Sequence, residues 1–195
     1  MSQLIAAIKK GKTMDKYEKL KNKYKPIIQK YIDSNKKFYQ FKRDIEWQYI
    51  EDKDDRKIAS CNKRTLVISV NIVAVEFYME QTNQPLTIEY FILHEIRHLF
   101  QYLCIYDYKT NPNGGFVPQA SLWAQEVDNY IDLLKDNFGY YYQNIEFDAF
   151  CFSFAVMVYK YGIIDYIFAP HIYDNDIRFY NGVQTWINHF KQNNY

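Results

Sequence analysis

Residues 87–105 read TIEYFILHEIRHLFQYLCI, and this stretch organises the rest of the chain. Tyr90, Phe91, Ile92 and Leu93 precede the segment HEIRH, and Leu99 and Phe100 follow it. The pattern predicts a largely buried helix from about Thr87 to Ile105. Residues four apart on a helix lie one turn above one another on a single face. His94 and His98 can therefore both reach one zinc ion, at about 2.0–2.1 Å. Glu95 falls beside the metal's open side, where a carboxylate can take a proton from a metal-bound water and pass it to a leaving group. The competing reading is a chance match on a surface helix. Two observations weigh against it: the chain has only 4 His and two of them fall in this spacing, and a buried helix seldom carries such groups unless something pairs them.

Working outward, Tyr17, Leu20, Tyr24, Ile27, Ile28 and Tyr31 recur at threes and fours and predict a helix over Asp15 to Asp33. Pro26 inside that stripe predicts a kink or a split, and Phe38 to Phe41 an extension after Ser34 and Asn35. From Asp44 the period changes to two: Ile45, Trp47 and Tyr49 alternate with polar residues, as in a half-buried strand. A turn follows over EDKDDRK, then a short strand at Ile58 to Ser60 and a β-branched strand at Thr65 to Val70. Further helices are expected at Val73 to Gln81, at Ala120 to Leu134 (ended by Asn137 and Gly139), at Ile145 to Tyr161 closed by Gly162, and at Arg178 to Phe190. NPNGGFVP at 111–118 reads as a loop. The expectation is a single α+β domain over 1–195, mostly helical, with a small early sheet. Its basic helical segment is 1–43, and its sheet and metal-binding helices fill 44–195.

A catalytic zinc needs a third protein ligand and keeps one position open. Glu126, Glu146, Asp148, His171 and His189 are the candidates. Glu146 is preferred, because it opens the apolar helix and is followed at helical spacing by Ala149, Phe150 and Ser153. A carboxylate above a small alanine can approach the motif helix closely. The plain reading of Glu146 is a helix N-terminal charge favoured by the dipole. Asp148 and Glu126 are expected as outer partners of the ligands, since a ligand histidine usually gives its other N–H to a carboxylate or carbonyl. Arg97 and Gln101, on adjacent turns, have an acidic group or water as partner. His171 is the first choice for stabilising an oxyanion, although it also reads as a surface histidine. His189 reads as surface helix.

His94, Glu95 and His98, with Glu146-x-x-Ala149 downstream, resemble the gluzincin class of zinc metallopeptidases. The likeness is nearest to the ImmA/IrrE type found in mobile elements and stress regulators, where the second motif is followed by an aromatic–small pair. Phe152-Ser153 holds that place here. The resemblance covers mainly residues 65–160. It implies a zincin-like fold, zinc held by His94, His98 and Glu146, Glu95 as catalytic base, and a protein or peptide substrate. Phe150 stands where that group often has asparagine, the two motif helices are far apart in sequence, and no helix-turn-helix is evident.

Composition sets the remaining bounds. With 48% apolar and 24% charged residues the chain reads as globular. Cys61, Cys104 and Cys151 form no CxxC pair, which points to three reduced thiols and a cytoplasmic setting and removes a cysteine zinc site. No targeting segment and no membrane span is expected. Charge is uneven: residues 1–43 hold 13 Lys/Arg against Asp15, Glu18 and Asp33, a net of +10, while the remaining 11 Lys/Arg meet 20 Asp/Glu, a net of −9. The favoured expectation is a basic helix packed on its own acidic body. The alternative is a binding protein whose segment 9–43, with Tyr17, Tyr24, Tyr31, Phe38 and Tyr39, holds an acidic protein or a nucleic acid.

Overall fold

The computed structural model describes residues 2–39, 43–53, 57–111, 114, 117–162 and 170–195, with side chains of the first helix from Lys16 onward. The chain begins with α1 (Ser2–Ser34) and a 3-10 turn (Lys36–Phe38). Three short strands follow, β1 (Trp47–Ile50), β2 (Ala59–Cys61) and β3 (Ile68–Asn71). Next come α2 (Ile72–Thr82), α3 (Leu86–Thr110), α4 (Ala120–Asp128), α5 (Asn137–Tyr142) and α6 (Asn144–Tyr161). A 3-10 turn (His171–Tyr173) leads into α7 (Ile177–Gln192). The architecture is α+β and mostly helical, as expected. The sheet order is β1-β3-β2, with β1 parallel and β2 antiparallel to the central β3.

The motif helix α3 lies between two cores. On one side Ile88, Ile92 and Ile96 pack with Ile68 and Val70 of β3, with Ile58 just before β2, with Ile72 at the start of α2, and with Tyr24, Ile28 and Ile32 of α1. On the other, Tyr90 and Leu93 join Phe150, Phe154, Phe179 and Phe190 of α6 and α7. A smaller cluster of Ile105, Trp123, Ala124 and Ile145 ties α3 to α4 and α6.

Several expectations are corrected. Helix α1 runs unbroken through Pro26, because Leu20, Tyr24, Ile28, Tyr31 and Ile32 are all buried on one stripe. Their packing outweighs the one backbone bond that proline removes. Phe38 lies in a 3-10 turn rather than a helix extension, and Phe41 lies outside the described residues. Strand β3 starts at Ile68, not Thr65, because Asn62 Oδ1 accepts from Arg64 N and Thr65 N and Leu66 sits at φ 58°. That left-handed residue ends a turn and cannot lie in a strand. Helix α4 ends at Asp128, where Asn129 N–H and Nδ2 both donate to Gln125 O. Past it, Ile131 exchanges hydrogen bonds with the side-chain amide of Gln143. Asn137 and Gly139 open α5 instead of closing α4, because Asp136 caps Gly139 N. Half of NPNGGFVP, at 112, 113, 115 and 116, lies outside the described residues, and Asn111, Gly114, Val117 and Pro118 lie in no helix or strand.

The basic helix does pack on the chain's own body. Lys23 pairs with Glu76 at 2.8 Å and Lys21 with Glu51 at 3.3 Å. Tyr24, Tyr31 and Phe38 are core residues, so they offer no stacking platform to a nucleic acid. No described helix is long and apolar enough to cross a membrane. The three cysteines are free.

Helices α6 and α7 meet at Gly182, where an added Cβ would stand 2.6 Å from Cys151 Sγ. Gly182→Val therefore overpacks this contact and is expected to cost about 1–3 kcal/mol in chemical denaturation. Recovery of part of that loss in Gly182→Val/Cys151→Ala is the specific sign of the clash.

Candidate metal centre

Residues 94 and 98 share one face of α3, and the first turn of α6 delivers Glu146 against them. His94 Nε2 lies 3.2 Å and His98 Nε2 3.4 Å from Glu146 Oε2, and the two Nε2 atoms are 2.9 Å apart. The three side chains are buried, at 4%, 5% and 2% exposure. Donors about 2.0–2.1 Å from a tetrahedral zinc stand about 3.3–3.4 Å from one another. The observed triangle is close to one face of that tetrahedron, and among the described residues this is the one cluster of His, Cys, Asp and Glu able to hold a metal ion. His94 adds a second indication: its Nδ1 is buried without a hydrogen-bond partner, so its ring is oriented by Phe150, 4.2 Å away between centroids, and by what Nε2 faces. Residues and geometry fit a divalent cation.

The electrostatics agree. Burial by itself lowers the pKa of His98, but the Glu146 carboxylate overrides it and raises the value to about 9. Burial likewise opposes ionisation of Glu146, yet the two imidazoles hold its carboxyl well below the usual range. The pocket is built to keep a carboxylate ionised and to attract positive charge.

Glu146 is fixed from both sides. Tyr130 donates to Oε1 at 2.6 Å and Tyr140 to Oε2 at 2.9 Å. Burial and then the Glu146 charge push both phenols far above their ordinary pKa, so both remain donors. Neither was anticipated from sequence. They come from the irregular α4–α5 connection and from α5, and with 20 Tyr in the chain no spacing singles them out.

His98 is oriented through a chain of contacts. Its Nδ1 meets Gln101 Oε1 at 2.8 Å, while Gln101 Nε2 donates to Ile145 O at 2.9 Å and Asp148 Oδ2 at 2.8 Å. Two acceptors on one end of the amide fix its orientation, so Nδ1 carries a proton and Nε2 is the nitrogen that would give its lone pair to a metal once its own proton is displaced. Asp148 is thus joined to His98 by way of Gln101, not directly. It also accepts from Arg97 Nε at 2.7 Å and Trp186 Nε1 at 3.2 Å. The Arg97 guanidinium lies over the rings of Phe100 and Trp186, 4.5 and 4.4 Å from their centroids. Removing the link by Gln101→Ala is expected to weaken metal binding 10- to 100-fold, as measured by competition with a chromophoric chelator. Unchanged affinity would contradict this role.

Glu126 has a different task. Its carboxylate accepts from Asn144 N, Asn144 Nδ2 and Ile145 N. It therefore caps α6, the helix that carries Glu146, and touches neither histidine. His171 is also corrected: it is exposed, pairs with Asp174 at 3.2 Å, and lines a separate cavity with Tyr78, Phe91 and Phe150. The structure does not bring it to His94. His189 lies on α7 near Asn193 and Trp186.

His94, His98 and Glu146 form the floor of a cleft of about 290 Å³. Glu95 lines it at 9% exposure, beside His94 and His98. One wall is Ala59, Ser60 and Cys61, the whole of β2. The other is Tyr102, Val127, Tyr130 and Tyr140. A floor of two imidazoles and two carboxylates that opens to solvent can bind a cation and admit a ligand to it. Comparison with protein-family models, with curated proteins and with solved structures finds no match for this chain.

Proposed function

We propose that this chain is a zincin-like metallopeptidase that hydrolyses peptide bonds of a protein substrate, with zinc held by His94, His98 and Glu146. The observation that carries the reading is the ligand triangle at the floor of an open cleft, with Glu95 beside it. When bound, zinc supplies Lewis-acid polarisation of a carbonyl and makes water easier to deprotonate. Glu95 takes the proton from the attacking water and returns it to the leaving amine. The phenols of Tyr130 and Tyr140 donate to the two oxygens of Glu146 and hold that carboxylate against the two imidazoles.

The sheet edge supports a peptide as substrate. In the antiparallel ladder Asn71 N donates to Ile58 O and Asn62 N donates to Val67 O. By alternation, Ser60 also faces β3, while the N–H and C=O groups of Ala59 and Cys61 point to the outer edge. An extended chain can add there as a further strand and pass over the ligand triangle. Incubating the zinc-loaded chain with a proteome-derived peptide pool is expected to generate new termini, read by mass spectrometry. A pool left intact by a chain holding one zinc would contradict the reading.

A further inference from the structure

A second cavity, of about 420 Å³, lies among α3, α4, α6 and α7 and shares no lining residue with the metal cleft. Small-molecule sites usually enclose about 300–1,000 Å³. Phe100, Trp123, Phe147 and Trp186 give this one aromatic walls. Among the described residues lining it, Arg97 and Asp148 are the charged ones.

Arg97 is only 5% exposed, yet one edge of its guanidinium is unused. Nε donates to Asp148 Oδ2 at 2.7 Å. The rings of Phe100 and Trp186 stand 4.5 and 4.4 Å from the guanidinium carbon, and those of Trp123 and Phe152 stand 5.5 and 5.6 Å from it. Among the described residues no acceptor meets Nη1 or Nη2. Neither nitrogen is sealed inside the core, so both reach the cavity that Arg97 lines. Asp148 is not free to turn towards them. Its Oδ1 accepts from Trp186 Nε1 at 3.2 Å, and its Oδ2 also accepts from Gln101 Nε2 at 2.8 Å. Charged N–H donors left without a protein acceptor in an aromatic surround form a ready anion site. The two Nη groups offer parallel donors that match the two oxygens of one carboxylate. Asp148 already balances the charge of Arg97, so the cavity suits a singly charged anion better than a phosphate dianion.

We propose that this cavity binds a small monocarboxylate with an apolar body, its carboxylate on Nη1 and Nη2 of Arg97 and its body against Trp123, Phe147 and Trp186. The site is separate from the metal cleft and does not rest on the metallopeptidase reading.

The test is isothermal titration of the zinc-loaded full chain with phenylpropionate, indoleacetate and octanoate. At least one is expected to bind with a stoichiometry of one. The matching alcohol, which keeps the body and lacks the charge, is expected to bind roughly 10- to 100-fold more weakly. Arg97→Lys keeps the charge, loses the planar fork, and is expected to weaken binding by about tenfold or more. Thr185 is an exposed position of α7 on the rim of the cavity, where substitution leaves the fold intact. Thr185→Lys is expected to tighten carboxylate binding and Thr185→Glu to weaken it, each by roughly two- to fivefold at low salt. Binding of none of the three carboxylates overturns the inference, as does an alcohol that binds equally well. Binding indifferent to both Thr185 variants places the carboxylate elsewhere, on the metal included, and overturns it too. Inorganic phosphate displacing the bound carboxylate on equal terms would remove the need for an apolar body and contradict the proposal.

Discussion

Glu146→Ala is expected to release the metal while the chain stays folded. Apparent binding energies of about 10–16 kcal/mol at zinc sites, shared among three or four ligands, amount to about 3–5 kcal/mol each. Loss of one ligand thus weakens binding at least about a hundredfold. Glu146 is also the partner of both phenols, Tyr130 at 2.6 Å and Tyr140 at 2.9 Å. Removing it leaves two hydroxyls and two imidazoles facing a small void, so a stability loss accompanies the metal loss. Glu146→Gln separates the two effects. It keeps the volume and an acceptor oxygen for a phenol but removes the charge, so it retains most of the stability and still binds metal poorly. Metal content by elemental analysis and the denaturation midpoint together check the pair. An alanine variant that keeps a full complement of metal would exclude Glu146 as a ligand.

Glu95→Gln has the second large effect. Glu95 lines the cleft without entering the ligand triangle, so the substitution is expected to leave metal content and fold unchanged. An amide cannot accept the proton from water, and hydrolysis of any peptide cleaved by the wild type should fall by roughly 10²–10⁴-fold. The loss should appear in kcat more than in KM, because the group acts in the transition state. Activity within tenfold of wild type, with the metal in place, would remove Glu95 as the proton acceptor. Another group of the cleft, Tyr102 included, would then have to be considered.

The central helix and the meeting of His94, His98 and Glu146 were legible in the sequence because each rests on local pattern. The apolar flanks of HEIRH foretold a helix buried on both sides, and the spacing of His94 and His98 fixed their common face. Glu146 followed from its place at the head of an apolar helix above Ala149, which is fully buried. What failed depended on contacts distant in sequence or on single side-chain caps. Asn129 ended the helix expected over Ala120 to Leu134 at Asp128, and Asp136 opened α5 where only a stop was expected; Tyr130 and Tyr140, from this connection and from α5, meet Glu146. Asp148 was expected to touch a histidine directly. The intervening Gln101 could be recognised only once α3 and α6 were seen side by side. His171 was chosen for its chemistry alone, and nothing in its neighbourhood tied it to the motif helix.

The most direct test of the metal centre is the metal content of the wild-type chain, purified without chelators and reloaded with zinc, combined with X-ray absorption at the zinc edge. One zinc per chain, with scattering from two imidazoles and at least one carboxylate oxygen, is the predicted result. A chain that retains no metal after reloading, or that holds it through sulfur, would contradict a centre built from His94, His98 and Glu146.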